Sequence, residues 1–173
     1  MKLLAGMILV TSMALSQITL PKSFKANFTQ KITNTKNSVI VYHGEVRFWN
    51  KKFFKWSYLN PTQKEVCSDG KELLVVDHDL EQVSIFYIRK GLDIAKVLAQ
   101  AKHYKENIYL ATYEDKKYTI QLNHAQVLQS IAYFDELDNK VQILFTQMKY
   151  PKGKFTAKEM QCGYPVEYDV IRG

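Results

Sequence analysis

Polar and apolar residues alternate with a period of two along most of the chain. Phe24, Ala26 and Phe28, for example, are separated by polar residues, and this pattern puts all three side chains on one face of a β-strand. Similar segments, bounded by turn-forming residues, recur at intervals of about ten residues. We predict strands over residues 24–32, 39–49, 53–58, 63–67, 72–76, 82–88, 108–113, 118–122, 127–134, 141–148 and 154–160.

Glycines and breaks in the alternation refine this picture. Asp69-Gly70 lies between two short predicted strands and is typical of a hairpin turn, which needs a positive φ. Gly44 lies inside a predicted strand, where glycine indicates a β-bulge or a close approach of another group. Residues 82–88 are apolar on both faces, so we expect that strand to be central in the sheet or covered.

The pattern changes to a helical period at residues 92–101. Ile94, Val97, Leu98 and Ala101 follow the spacing i, i+3, i+4 and i+7, which forms one apolar stripe on a helix. We predict a mainly β protein, an antiparallel barrel or strongly curved sheet of ten or eleven strands, with this helix across its open side.

Residues 1–16 have the pattern of a secretory signal peptide. Lys2 precedes an uncharged run, which ends in small residues at positions 14 and 16. The run is shorter than the roughly 20 residues that a membrane-spanning helix needs. We expect cleavage between Ser16 and Gln17 and a single periplasmic domain over residues 17–173; an uncleaved anchor or a buried N-terminal helix is the alternative.

Composition and charge narrow the class of protein. Hydrophobic residues make up 46% and charged residues 24% of the 173 positions, which excludes a disordered chain and fits one globular domain. The formal net charge of +7 favours anionic partners. Basic and aromatic residues alternate in residues 47–56, as in single-strand nucleic-acid binders. In an exported protein this pattern instead indicates strands with a basic outer face, so no nucleic-acid partner is expected.

No catalytic motif emerges from the sequence. It contains no Gly-x-Ser-x-Gly motif, phosphate loop or dinucleotide fingerprint, and no histidine at zinc-binding spacing. Asp77-His78-Asp79 could ligate a metal weakly, but a solvated turn explains it better. Cys67 near His78 could form a nucleophile pair, but a structural cysteine is the simpler interpretation. We predict a binding protein without enzymatic activity, metal or cofactor.

Two residue classes leave alternatives open. Aromatic residues make up 13% of the chain and suit either a ligand cavity or an ordinary filled core. Cys67 and Cys162, an even pair in an oxidising compartment, permit one disulfide, and two separate thiols are the alternative. Nothing in the sequence requires more than a monomer.

Three segments together resemble the LolA family, the periplasmic carriers of outer-membrane lipoproteins. Residues 24–30 (FKANFTQ) are similar to its Phe-x-Ala-x-Phe-x-Gln opening. Gly44, followed by Phe54 and Trp56, resembles the family's Gly…Phe-x-Trp block, and residues 68–83 resemble its Ser-Asp-Gly…Asp…Gln-Val block. The resemblance covers about residues 24–88 and depends on all three blocks occurring in order.

The resemblance implies an incomplete antiparallel barrel with a helical lid over an apolar cavity. Such a cavity is needed because each buried acyl methylene contributes about 0.8 kcal/mol to binding. Many members carry an Arg-Pro pair whose arginine bonds lid carbonyls; this chain has Asn50 and Lys51 there. Asn50 supplies no charge, and Lys51 is the substitute that the sequence offers. The family's helix before the first strand would be short or absent here, since Pro21 interrupts residues 17–23.

The resemblance also implies residues and partners. The expected cavity residues are Phe28, Phe48, Phe54, Trp56, Leu74, Val76, Ile85 and Tyr87, with Ile94, Val97, Leu98 and Ala101 as the lid face and Lys51, Lys52, Phe54 and Lys55 as a docking surface for acidic partners. The expected partners are acylated lipoproteins as cargo, an inner-membrane ATP-driven release complex and, if present, an outer-membrane acceptor. A periplasmic lipid- or small-ligand-binding domain without lipoprotein specificity is the alternative, and a cargo-free interaction domain is the third.

Overall fold

The computed structural model describes Ile18 and residues 21–50, 53–87, 94–151 and 153–173. The predicted signal peptide, Lys51 and Lys52 lie outside the described residues. The strands are β1 (Ser23–Thr33), β2 (Val39–Trp49), β3 (Phe53–Asn60), β4 (Lys64–Ser68), β5 (Glu72–Asp77), β6 (Gln82–Tyr87), β7 (Lys102–Lys105), β8 (Ile108–Tyr113), β9 (Lys116–Leu122), β10 (Leu128–Phe134), β11 (Lys140–Lys149) and β12 (Asp169–Arg172), and the helices are α1 (Ile94–Ala99) and α2 (Ala157–Met160).

All twelve strands belong to one open sheet. Their order is β12-β6-β5-β4-β3-β2-β1-β11-β10-β9-β8-β7, so β12 and β7 are its edges. Every neighbouring pair is antiparallel except β12 and β6, which run parallel. The predicted incomplete, mainly β architecture is confirmed, with twelve strands among the described residues instead of the predicted ten or eleven. Within the described part of the chain, no helix is both long and apolar enough to cross a membrane.

The sheet curls so that distant strands meet on its concave face. The rings of Trp56 on β3 and Phe145 on β11 have centroids 6.1 Å apart, although β2 and β1 lie between these strands. Three strand spacings in a flat sheet would separate them by about 14 Å. Curling brings the apolar side chains of most strands into one core, on which α1 packs with Val97 and Leu98 fully buried.

Gly44 makes the tight curl between β1 and β2 possible. Phe28 lies directly opposite it, and the pairing of β2 with β3 is irregular between His43 and Gly44. A Cβ atom at Gly44 would clash with the Ser57 carbonyl oxygen and lie 2.8 Å from the Phe28 ring. Both features that the glycine predicted, a bulge and a close approach, are therefore present.

The C-terminal segment differs from its prediction. Residues 154–160 are not a strand: they contain α2, whose first turn has a capping box in which the Thr156 and Glu159 side chains bond each other's backbone N–H groups. This local bonding favours a helix over an extended chain. The last strand is β12, and the short exposed strand β7 was not predicted because its four residues carry no alternation.

Two further expectations are corrected. Helix α1 spans Ile94–Ala99, so it ends two residues before the predicted Ala101; the predicted residues 92 and 93 lie outside the described part of the chain. The expected cover of β6 is present at Val83, which is buried, but is wrong at Phe86 and Tyr87, which are 43% and 67% exposed. The short strand β12 pairs with β6 only from Gln82 to Ile85, so Phe86 and Tyr87 lie beyond the end of this pairing.

Candidate functional site

A cavity of about 200 Å³ opens on the concave face of the sheet. Its walls come from strands on both sides of β1, so the curl of the sheet creates it. Most of the lining side chains are aromatic or aliphatic. They are Gln30, Phe54, Trp56, Tyr58, Val66, Leu73, Tyr133 and Ile143.

Cross-strand pairing explains why these residues share a face. Residues directly opposite one another in an antiparallel pair point to the same side. Trp56 is opposite Val66, and Gln30 is opposite Ile143. Alternate residues of each strand therefore reach the cavity, while their neighbours in sequence point to the other side of the sheet.

Edge-to-face ring contacts hold the aromatic wall in place. Phe28 contacts Trp56 with a centroid distance of 4.8 Å and Tyr58 with one of 5.0 Å, and Tyr42 contacts Tyr58 at 5.7 Å. Such arrangements add to the stabilisation from burial and fix ring orientation. The wall is thus a packed aromatic surface with the cavity on one side.

The tyrosine hydroxyls at the cavity are neutral at physiological pH. Burial raises the pKa of Tyr58 far above its ordinary value, and the phenols of Tyr133 and Tyr42 add to the effect. Burial, followed by the charges of Tyr118 and Asp135, raises the pKa of Tyr133 to about 12. The cavity wall therefore offers apolar surface and uncharged polar groups.

Four of the eight expected cavity residues lie on the concave face. Phe54 and Trp56 line the cavity, whereas Phe28 and Phe48 are buried in the core behind it. Ring stacking of Phe48 on Phe24, with centroids 5.3 Å apart, anchors this core. Phe28 and Phe48 thus support the wall instead of facing the cavity.

The other four expected cavity residues were assigned to the wrong face. Ser68 is opposite Leu73 across the β4–β5 hairpin, so Leu73 and Val75 point inward and their neighbours point outward. Pairing the residues of the two strands across the Asp-Gly turn identifies Leu73 as inward-facing, and Leu73 lines the cavity. The residues on the convex face are Leu74, Val76, Ile85 and Tyr87.

The four residues expected to form the lid face are buried together. Ile94, Val97, Leu98 and Ala101 belong to the same core as Phe28, and α1 contacts β8. The apolar stripe of the helix therefore faces the concave side of the sheet. Asn50, at the position of the family's arginine, lies in a turn with a φ of 52°, and its backbone N–H donates to the Lys22 carbonyl.

Lys55 is not an exposed docking residue. It is 9% exposed and lies on the convex face, because it is opposite Cys67 while Phe54 points to the cavity. Its Nζ atom is 2.8 Å from Glu65 Oε1 and donates to the Gln161 carbonyl at 2.8 Å. The C-terminal segment covers it, a contact across 106 residues that local sequence does not reveal.

The same convex region contains a disulfide. Cys67 and Cys162 are joined, with Cα atoms 5.8 Å apart. The Gly163 N–H donates to Glu65 Oε2 at 3.1 Å, so Glu65 bridges Lys55 and the C-terminal segment. Among the described residues, the single group with three closely spaced metal-ligand atoms is Glu65, Cys67 and Cys162, and its sulfurs are in the disulfide.

The Asp77-His78-Asp79 turn has structural partners. Asp77 pairs with Lys64 at 3.0 Å, Asp79 accepts from the Gln63 N–H at 3.1 Å, and His78 Nδ1 is 3.3 Å from the Tyr168 hydroxyl. These contacts fix a turn between β5 and β6. Cys67, being disulfide-bonded, has no thiol to act as a nucleophile with His78.

Comparison with known proteins adds to this geometry. Residues 20–158 match the family model described as outer membrane lipoprotein carrier protein LolA. An outer-membrane lipoprotein carrier protein of Campylobacter jejuni is 34% identical over 87% of this chain and 86% of its own length. The same-named protein of Wolinella succinogenes is 30% identical over 87% of each chain, and that of Helicobacter pylori strain J99 is 27% identical over 73% of this chain and 67% of its own.

Solved structures share the fold. An uncharacterised conserved protein from Thermus thermophilus superposes with a TM-score of 0.57 and 12% identity, covering 89% of this chain and 92% of its own. A LolA superfamily protein from Nitrosomonas europaea superposes with a TM-score of 0.51 and 11% identity, covering 84% and 93%. At these identities the likeness concerns the fold alone.

Proposed function

The chain belongs to the LolA family of outer membrane lipoprotein carrier proteins, and we propose that it carries acylated lipoproteins through the periplasm to the outer membrane. The cargo leaves the inner membrane and is shielded from water on the way. Its acyl chains lie on the concave face of the sheet, under α1. The protein acts as a chaperone and not as an enzyme.

The observation that carries this proposal is the uncharged cavity on the concave face. Phe54, Trp56, Val66 and Leu73 offer it apolar walls. Each acyl methylene that leaves water contributes about 0.8 kcal/mol, so a chain of some fifteen carbons contributes on the order of 12 kcal/mol. A carrier needs such a surface to hold acyl chains outside a membrane.

The cavity widens when cargo enters. Its volume of about 200 Å³ is below the roughly 300–1,000 Å³ of pockets that enclose a small ligand. Helix α1 is the element that moves: none of its described residues lines the cavity, but it packs on the same concave core and contacts β8, so its displacement extends the cavity along that face. Its displacement uncovers the buried side chains of Val97 and Leu98, which then contact the acyl chains.

Partner proteins supply the direction of transport. As the family membership implies, an ATP-driven release complex of the inner membrane loads the carrier, and an outer-membrane acceptor that binds acyl chains more tightly unloads it. Lys51 and Lys52, with Phe54 at the cavity, dock an acidic face of a partner. Residues 1–16 serve as the signal peptide that directs the chain to the periplasm.

The two tryptophans allow a direct test because they lie on opposite faces. Trp56 lines the cavity, while Trp49 pairs with Phe53 on the convex face. We expect a triacylated lipopeptide with brominated acyl chains to quench fluorescence in Trp49→Phe, which retains Trp56. The matched variant Trp56→Phe should bind the same lipopeptide with little quenching.

Native mass spectrometry of the protein purified from periplasm identifies the natural cargo. A co-purified triacylated lipoprotein supports the carrier function. Free phospholipid or fatty acid alone favours the second candidate, a lipid-binding domain without lipoprotein specificity. An empty protein that also leaves added lipopeptide unbound contradicts both.

A further inference from the structure

Three polar side chains interrupt the otherwise apolar wall of the cavity. Gln30, Tyr58 and Tyr133 line it together with aliphatic and aromatic groups. Gln30 is the one polar residue among the inward-facing positions of β1 from Phe24 to Ile32. It follows the alternating FKANF segment, whose pattern would place another apolar residue at this position.

These polar groups have hydrogen-bonding capacity to spare. Within the described part of the chain, the side chains of Gln30, Tyr58 and Tyr133 form no hydrogen bond. Across the same residues, no fully occluded side-chain nitrogen or oxygen lacks a partner. The polar atoms of these three residues are therefore accessible, and the cavity is the space that they line.

The three groups are suited to donate hydrogen bonds to an uncharged acceptor. The phenols of Tyr58 and Tyr133 are protonated at neutral pH, as tyrosines ordinarily are, and burial raises the pKa of both further, so each supplies an O–H donor. The Gln30 amide supplies N–H donors. Ring contacts with Phe28 and Tyr42 hold Tyr58 in place, so little freedom is lost when it bonds a ligand.

A plain hydrocarbon chain would not satisfy these donors. Filling the cavity with methylenes expels water and leaves the donors without partners, which weakens binding. An acyl carbonyl at the same place accepts their hydrogen bonds, while the chain beyond it lies on Phe54, Trp56 and Val66. The cavity therefore favours acyl chains over alkyl chains of equal length.

We propose that Gln30, Tyr58 and Tyr133 form an acyl-carbonyl subsite that binds the ester or amide carbonyl at the head of a cargo acyl chain. This inference depends on the proposed carrier function and specifies which part of the lipid the cavity recognises. The subsite sets the depth at which the chain enters. It also gives the carrier a preference that hydrophobic burial alone cannot supply.

Paired synthetic lipopeptides test the subsite. One carries two palmitoyl ester chains, and the other carries two hexadecyl ether chains, which lack the carbonyls. We expect the wild-type protein to bind the diester about tenfold more tightly, as expected for one or two lost hydrogen bonds to a buried site. In Tyr58→Phe/Tyr133→Phe the ratio should fall to about twofold, and ether binding should be unchanged or tighter.

Two further variants control the test. Tyr118→Phe removes the hydroxyl of a largely buried tyrosine whose ring lies beside the Tyr133 ring, outside the cavity lining, and should retain the wild-type preference for the diester. Gln30→Leu removes the third donor group without altering either tyrosine and should reduce the preference on its own. An N-palmitoyl peptide shows whether the amide carbonyl also uses the subsite, since its binding should then weaken in the double tyrosine variant.

Equal affinity of the wild-type protein for diester and diether would overturn the subsite while leaving the carrier function intact. A diester preference that survives in both the double tyrosine variant and Gln30→Leu would also overturn it. Failure to bind either lipopeptide contradicts the proposed carrier function itself. The wild-type comparison requires no variant, so a folding defect in a mutant cannot hide the result.

Discussion

Phe28 lies directly opposite Gly44 on neighbouring strands, and its ring occupies the space that a side chain at Gly44 would need. The same ring contacts Trp56 and Tyr58, two residues of the cavity wall. The absence of a side chain at Gly44 therefore affects the strand curvature, the packing of the core and the shape of the cavity. A change there should affect both stability and ligand binding.

Gly44→Ala should destabilise the fold. The added methyl group clashes with the Ser57 backbone carbonyl, which cannot move as freely as a side chain, and presses on Phe28. We expect a loss of about 1–3 kcal/mol in the free energy of unfolding, measured by urea denaturation. Gly153→Ala is the control, because a Cβ there meets nothing within 4 Å. Equal stability of the two variants would show that β3 can shift away from β2.

The pair of Lys55 and Glu65 should stabilise the attachment of the C-terminal segment. Both side chains are largely buried, with 11% and 20% exposed. Lys55→Met removes the cationic partner of the Glu65 carboxylate, and we expect a loss of about 2–4 kcal/mol by urea denaturation. The double variant Lys55→Met/Glu65→Leu should lose less than the sum of the single changes. Strict additivity would mean that the two charges act independently.

Removing the disulfide should lower stability without affecting cargo binding. Cys67→Ser/Cys162→Ser opens a loop closed across 95 positions, and we expect a loss of about 2–4 kcal/mol. The lipopeptide affinity should stay within about twofold, because the disulfide lies on the convex face and the cavity on the concave face. Wild-type protein treated with a reductant should show the same loss of stability and the same lipopeptide affinity as this variant. A large loss of affinity would indicate that the C-terminal segment controls the cavity.

The alternation of residues was sufficient to predict the inner face of the first three strands. β1, β2 and β3 follow one another as simple antiparallel neighbours, so Phe28, Phe48 and Trp56 keep one phase along the sequence. At the hairpin of β4 and β5 the alternation no longer shows which side chains point inward, because both faces of β5 are apolar. Only the pairing of Ser68 with Leu73 decides which face points inward.

The positions of the other site residues depend on contacts between segments that are far apart in the sequence, and local patterns do not reveal such contacts. The sequence around Lys55 is typical of an exposed cation on a strand, and its burial follows from its contacts with Glu65 on β4 and with the Gln161 carbonyl of the C-terminal segment. The polar members of the cavity were missed for a different reason. Tyr133 is far from β3 along the sheet, and its place beside Tyr58 follows from the curl and not from any local pattern.

Asp69 should contribute stability that depends on pH. Its Oδ1 atom accepts the Lys71 N–H at 2.8 Å and the Glu72 N–H at 3.0 Å. The bonds from Glu72 and then Lys71 hold the pKa of the Asp69 carboxyl below its usual value, outweighing the opposite effect of burial. A carboxyl with a lowered folded-state pKa stabilises the fold above the unfolded pKa of about 3.9, and this contribution disappears as the pH falls through the folded value.

Asp69→Asn tests this contribution because the amide keeps the turn but cannot ionise. At pH 6 we expect the variant to be less stable than the wild type in urea denaturation, since an ionised acceptor bonds the Lys71 and Glu72 N–H groups more strongly. The difference should shrink as the pH falls below the unfolded pKa of about 3.9 and through the lowered folded-state pKa, because the wild-type carboxyl then takes up a proton and becomes as neutral as the amide. A difference that stays constant over this range would show that the charge on Asp69 does not stabilise the hairpin, and that the loss in the variant comes from the shape of the amide alone.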